Sequence, residues 1–219
     1  MKEKQYQDLV DKRKKHEFPI GLFNPANIEN GVDCNHIGAW SQWQGNLDAD
    51  ILVIGQDWGN EKHFLEYSGI GDDDNMTNKR LRELFLSIGF EIGVPNKPVP
   101  QPIFFTNAIL GIKENAKKGL SSSVKKEWVK DSTEHFTKEL IEIIEPKIII
   151  TLGTKPLYAM RLLYDKIPNE KLSSIIDTNP ICLKKDVHLF ALYHCGGLSL
   201  VNRKPEKQFE DWQKIKSFI

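Results

Sequence analysis

The amino-acid pattern is that of an α/β protein whose parallel sheet is covered by helices on both faces, for three reasons. Four short apolar runs with β-branched content, 50–55, 103–107, 147–152 and 188–193, read as buried strands. Helical patterns with one apolar face separate them, and such alternation implies parallel strands joined by crossovers. Each run stops in small or polar residues: Gln56-Asp57-Trp58-Gly59, Thr106-Asn107, Gly153-Thr154 and His194. Ligands of open α/β sheets bind beyond the carboxyl ends of the strands. Asp57, Asn107, Gly153 and His194 are therefore expected to converge on one edge.

The elements follow in order. Residues 2–17 are highly charged and include Lys12-Arg13-Lys14-Lys15, a surface helix or a basic arm. Residues 19–47 hold Pro19, Pro25, Cys34, Trp40 and Trp43 without periodicity and read as an irregular layer with short helices. Thr77 caps a helix whose Leu81, Leu84, Phe85 and Ile88 share one face. Trp128, Phe136, Leu140, Ile141 and Ile144 repeat the pattern over 124–145, and Pro146 ends that helix. A third helix starts at Thr154 with Leu157, Met160 and Leu163, and a last one carries Phe209, Trp212, Ile215 and Phe218. The segments 66–77 and 113–123 read as exposed loops. The expectation is one domain over 1–219, with an irregular or helical N-terminal layer (1–47) and a core (48–219).

The chain has 219 residues, 40% hydrophobic and 27% charged, ordinary values for a soluble globular protein. Lys plus Arg equals Asp plus Glu, 30 each, so net charge gives no general attraction to nucleic acid or an anionic membrane. Binding to either needs locally clustered charge. Cys34, Cys182 and Cys195 are widely spaced, which excludes a disulfide framework and a four-cysteine metal site. The start, Met1-Lys2-Glu3-Lys4, has no apolar signal core, and no apolar run approaches the ~20 residues that span a bilayer. A cytoplasmic monomer is expected. Neither a dinucleotide fingerprint nor a P-loop is present. His63 and Asp72-Asp73-Asp74 fit no standard metal spacing, so no metal and no cofactor are expected.

At the strand ends, Asp57 is either a general base that orients water or a helix N-cap. Asn107 offers a donor and an acceptor suited to the edge of a base or amide, or else turns on its own backbone. His194 stabilises an anion, transfers a proton or is structural. Gly196-Gly197 permits close approach of a ligand to the backbone. Leu198 after them is a wedge for a base stack or a packing contact. Arg203, between Asn202 and Lys204, suits phosphate, as do the backbone N–H groups of Gly153-Thr154 at a helix start.

Together these residues resemble the uracil-DNA glycosylase superfamily. Gly55-Gln56-Asp57-Trp58-Gly59 is similar to its Gly-Gln-Asp-Pro-Tyr motif, and Phe105-Thr106-Asn107-Ala108 to its strand ending in a base-reading Asn. Leu152-Gly153-Thr154 matches its Leu-Gly pair before a helix. His194-Cys195-Gly196-Gly197-Leu198-Ser199 keeps the His, Leu and Ser of His-Pro-Ser-Pro-Leu-Ser. The resemblance covers roughly residues 48–215, with the motifs in family order.

It implies a three-layer αβα sandwich around a four-stranded parallel sheet and a monofunctional glycosylase. The reaction implied is hydrolysis of the N-glycosidic bond of a flipped, damaged base in DNA, leaving an abasic site. By position, Asp57 orients water and stabilises the sugar cation, and Asn107 bonds the pyrimidine edge. The Gln56 backbone and His194 stabilise the leaving base, Leu198 fills the duplex, and Thr154, Ser199 and Arg203 touch phosphates. Phe64 is the first choice for the aromatic that stacks on the base, with Tyr67 and Trp58 behind it. Gly59 stands where the uracil-specific branch has a Tyr that excludes a C5 methyl, so the pocket is expected to admit thymine or other modified bases. Cys195 and Gly197 replace two prolines, which makes the wedge loop more mobile. Two alternatives stay open: a catalytically inactive nucleic-acid-binding module on the same fold, and a hydrolase of free nucleosides or nucleotides.

Overall fold

The computed structural model describes residues 1–29, 35–114 and 123–219, without the side chains of Leu198 and Ser199. Cys34, most of the expected 113–123 loop, and the wedge and phosphate roles of the Leu198 and Ser199 side chains lie outside the described residues. Helix α1 (Lys2–Lys15) leads into strand β1 (Leu22–Phe23) and two 3-10 turns, Pro25–Asn27 and Ala39–Gln42. Then come β2 (Ile51–Gly55), α2 (Glu61–Glu66), α3 (Met76–Ser87) and a small hairpin, β3 (Gly93–Val94) and β4 (Lys97–Pro98). Next are β5 (Ile103–Asn107), β6 (Ile112–Lys113), α4 (Lys126–Ser132) and α5 (Lys138–Ile144), with a π-helical turn, Thr133–Thr137, between the last two. The chain continues through β7 (Ile148–Leu152), α6 (Thr154–Leu163), α7 (Leu172–Ile175), β8 (Ile181–Lys184) and β9 (Val187–Leu192). A 3-10 turn, Gly197–Val201, α8 (Pro205–Gln213) and a last 3-10 turn, Lys214–Phe218, complete it.

The central sheet has the order β5-β2-β7-β9-β8. Its first four strands are parallel and coincide with the four apolar runs. The expected four-stranded sheet gains a fifth member, because β8 pairs antiparallel with β9. Only Leu183 of β8 is buried; Cys182 and Lys184 are exposed, so this edge strand carries no apolar run for a sequence reading to find. Asp186, in the left-handed region at φ 61°, turns the chain between the two strands.

Strand side chains alternate between two cores. Leu52, Ile54, Phe104, Ile149, Leu189 and Ala191 pack with residues of α1, α4, α5 and α6. Ile51, Val53, Phe105, Ile150, Phe190 and Leu192 pack with residues of α3, α8 and Trp43. This is the period-two pattern of a sheet buried on both faces, and it makes the three layers.

Several local expectations change. Helix α3 is capped by Asn75, whose side chain accepts from the Asn78 N–H, rather than by Thr77. Glu145, at φ 56°, already ends α5 one residue before Pro146. The basic N-terminal segment is more than a solvated helix: Leu9, Val10 and Arg13 are fully buried, and the Arg13 guanidinium donates to the His36 carbonyl at 3.0 Å. The 66–77 loop is pinned rather than open. Gln42 donates to the Gly69 carbonyl at 2.8 Å, Asn78 to the Asp72 carbonyl at 2.7 Å and Asn96 to the Gly71 carbonyl at 3.2 Å. No helix among the described residues is long and apolar enough to cross a membrane.

Candidate active site

The chain leaves β2 for β5 on one side and then returns to β7 on the other, so the direction of winding reverses beside β2. The strands end in step: Gly55 lies opposite Asn107, and Leu152 opposite Leu192. Their following residues therefore meet over one edge, where ligands of such sheets bind. A cavity of about 410 Å³ opens there, within the range of small-molecule sites, and Gln56, Asp57, Trp58, Gly59, Asn107 and His194 all line it.

Asp57 follows β2 and its side chain is only 8% exposed. Its Oδ1 accepts from the Gly59 N–H at 2.9 Å and lies 3.0 Å from Lys113 Nζ; its Oδ2 accepts from Gln56 Nε2 at 2.8 Å. Asp57 therefore closes its own loop rather than capping α2, whose cap is Asn60. Gly59 sits at φ +117°, and a Cβ there would meet His63 Cδ2 at 3.0 Å. The space next to Gly59 is thus walled by His63, and any larger residue at 59 would be strained whatever the room. Burial lowers the His63 pKa, with Glu66, Asp72 and Asp57 pulling weakly the other way.

Asn107, the last residue of β5, is 5% exposed. Its amide hydrogen-bonds none of the described residues, although it lines the cavity. Its polar atoms are open to the cavity and so available to whatever enters. A Cβ on Gly55 would lie 2.8 Å from Asn107 Nδ2 and 2.6 Å from the Trp40 ring, so only glycine lets these two groups face the cavity together.

His194 follows β9. Its Nδ1 accepts from the Gly196 N–H at 2.9 Å. Burial lowers its pKa below the ordinary histidine value, an effect that exceeds the opposing pull of Asp57. The ring is therefore held neutral, with Nδ1 as acceptor and Nε2 as the N–H donor. A Cβ on Gly196 would come within 2.9 Å of His194 Nδ1, whereas one on Gly197 would meet open space. Gly196 is thus the glycine that the histidine needs. Cys195 between them is fully buried, and burial pushes its thiol up to about 12, which makes it a packing residue rather than a nucleophile.

The remaining expected residues divide. Gly153 (φ +102°) starts α6 close to His194, with its N–H given to the Leu192 carbonyl at 2.8 Å. Thr154 is exposed at the first position of that helix. Arg203 is not free for phosphate. Its Nε and Nη2 form a fork on Asp211 at 2.8 and 2.6 Å, and that carboxylate is 3% exposed. Phe64 is 1% exposed and packs with Ile28, Ile112 and Trp58 behind the cavity instead of lining it. Tyr67 does not line it either, whereas Trp58 does.

Trp40, Ile70 and Lys113 are among the lining residues that the sequence reading did not place at the site. Trp40 comes from the N-terminal layer and leans on Phe105, ring centroids 4.6 Å apart. Ile70 lies in the pinned loop. Lys113 reaches Asp57 from β6, and its side chain is 12% exposed. No periodicity or motif marks these three, whose places depend on pairings far along the chain. Away from the cavity, His16, Asp131 and His135 bring three ligand atoms within 4.8 Å of one another, the only such group of metal-ligating side chains among the described residues. His16 Nε2 lies 3.0 Å from Asp131 Oδ2, so these two groups already satisfy one another.

A carboxylate, an unbonded amide, a neutral imidazole and an aromatic wall thus surround one cavity at the carboxyl edge of a parallel sheet. No curated protein is detectably similar to the chain in sequence. The family model of the uracil DNA glycosylase superfamily, however, matches residues 42–216, which takes in all four strand-end motifs and supports a uracil-DNA glycosylase-like function in general terms. The chain belongs to the uracil DNA glycosylase superfamily.

Proposed function

We propose that the protein hydrolyses the N-glycosidic bond of uracil or a related damaged base in DNA. The observation that carries this reading is the Asn107 amide, which bonds none of the described residues and lines the same cavity as Asp57 and His194. The base enters the cavity flipped out of the helix and lies against Trp40. The Asn107 amide offers one acceptor and two donors to its edge. As the glycosidic bond breaks, negative charge gathers on the base and positive charge on the sugar. The His194 Nε2–H donates to the base, and the Asp57 carboxylate faces the sugar and holds the attacking water. A neutral histidine suits this task, because Nδ1 stays engaged by Gly196 while Nε2 donates. Fixed donors and charges in a site shielded from water need no reorganisation at the moment of reaction.

The sequence expectation of an open gap at Gly59 did not include a wall at His63. His63 stands next to Gly59, and Trp58 closes the same side, 5.1 Å from the His63 ring. We infer that His63, rather than an open gap at Gly59, sets which base is admitted. Gly153-Thr154 and the Gly197–Val201 turn flank His194 and are the segments proposed to meet the DNA backbone.

The test is release of base from labelled single- and double-stranded DNA containing uracil, hypoxanthine or thymine opposite guanine, with Asp57→Asn as control. Release by the wild type and not by Asp57→Asn, with DNA binding retained in both, supports the reading. No release from any of these substrates by folded wild-type protein overturns it. Turnover of free nucleosides that is unaffected by Leu198→Ala would instead favour a nucleoside hydrolase.

A further inference from the structure

Lys113 is a cavity residue that hydrolysis does not require. A carboxylate, a donor and water are enough to release a base, so a nearly buried amine 3.0 Å from that carboxylate is left for a second step. Its backbone is fixed from two directions. Strand β6 pairs with β1 through Leu22 opposite Lys113, and the Lys113 N–H donates to the Gly59 carbonyl at 3.3 Å. The amine is thereby aimed at the Asp57 loop, with Nζ 3.0 Å from Asp57 Oδ1. That is hydrogen-bond distance, the separation at which the carboxylate would hold a nucleophile for the sugar carbon. Among the described residues, Lys113 is the one lysine or arginine lining the cavity.

From this placement we propose that Lys113 forms an imine with the aldehyde of an abasic site. The inference rests on the base-excision reading, which would generate that aldehyde in the same cavity. Once the base has left and water has added to the sugar carbon, the ring opens to a C1′ aldehyde. In its resting ion pair Lys113 is an ammonium and cannot attack. One proton passes to Asp57 Oδ1, and the neutral nitrogen then adds to C1′ while the carbonyl π electrons move to oxygen. The C–O bond breaks, oxygen leaves as water with the two remaining amine protons, and a C=N bond stays. No oxidant or reductant is consumed, and water reverses the step. The protein thereby holds its reactive product covalently until hydrolysis frees it.

The experiment uses the full chain and duplex DNA whose abasic site is made beforehand by other means, so base release is not needed. Sodium cyanoborohydride in the mixture reduces any imine to a stable secondary amine. The expected result is a protein–DNA band on a denaturing gel, mapped to Lys113 by peptide mass, and at least tenfold weaker in Lys113→Arg. Mapping on the wild type keeps the test valid even if the variant folds poorly. No band, an equal band in a folded Lys113→Arg protein, or a linkage to another amine would overturn the proposal. A Lys113 adduct from a protein that releases no base would sink the base-excision reading and leave this one standing; base release without an adduct would do the reverse.

Discussion

His194 offers the sharpest test of the chemistry. His194→Ala removes the Nε2–H donor and the acceptor of the Gly196 N–H. Losing one preorganised donor to developing negative charge costs about 10²–10³-fold in rate, or ~2.7–4 kcal/mol. Losing the Gly196 bond costs roughly 0.5–1.5 kcal/mol of stability, small beside a typical total of ~5–15 kcal/mol, so the variant stays folded. His194→Gln returns an N–H donor and is expected to recover at least part of the rate. The pH profile separates a neutral donor from a charged one. Burial holds the folded pKa of His194 below its ordinary value of 6.5. A neutral donor therefore gives a rate that is flat from alkaline pH down through 6.5 and falls only as the lowered pKa is crossed. The same shift means that the unfolded chain binds the proton first, so the His194 contribution to stability is complete above 6.5 and is lost as pH falls through the folded value. The assay is single-turnover base release between pH 5 and 9, with thermal melting in the same buffers. A rate loss below tenfold in His194→Ala, or a wild-type rate that rises as the ring protonates, would remove His194 as a neutral donor to the leaving base.

Asn107→Ala should lower the rate on the preferred base by about 10²-fold or more and narrow the gap between bases, measured as the ratio of kcat/KM values; an unchanged ratio would remove Asn107 from base reading. Trp40→Ala should weaken binding of the flipped base by ~1–3 kcal/mol, read as a higher KM or Kd, the worth of one base–aromatic stack; an unaffected KM would point to Trp58 instead. Among the described residues, Arg203→Ala leaves the nearly buried Asp211 carboxylate with Lys214, at 3.9 Å, as its one ion-pair partner. It should therefore destabilise the protein by roughly 2–4 kcal/mol in urea melts while changing DNA affinity little. A large affinity loss with unchanged stability would restore Arg203 as a phosphate contact.

The parallel core and the polar residues at its edge are legible in the local sequence. The strands 51–55, 103–107, 148–152 and 187–192 must be buried on both faces, and that requirement writes continuous apolar runs. The polar residues that stop those runs, Asp57, Asn107 and His194, fall on one edge once the strands are parallel. Burial leaves no such mark on an edge strand, so β8 was invisible with Leu183 as its one buried residue.

The partners of each polar group follow from contacts between distant segments. Arg203 reads as a phosphate contact until Asp211, on α8, is seen to take its guanidinium. Phe64 reads as a stacking ring until it is found packed with Ile28 and Ile112, while Trp40, from the N-terminal layer, lines the cavity. Lys113 carries no local signal, because its role comes from β6 docking beside β1 and the loop after β2. Periodicity reports how deep a side chain lies, since burial repeats with the backbone. Pairing between distant residues follows from how layers stack, and that is set by the packing of the whole chain.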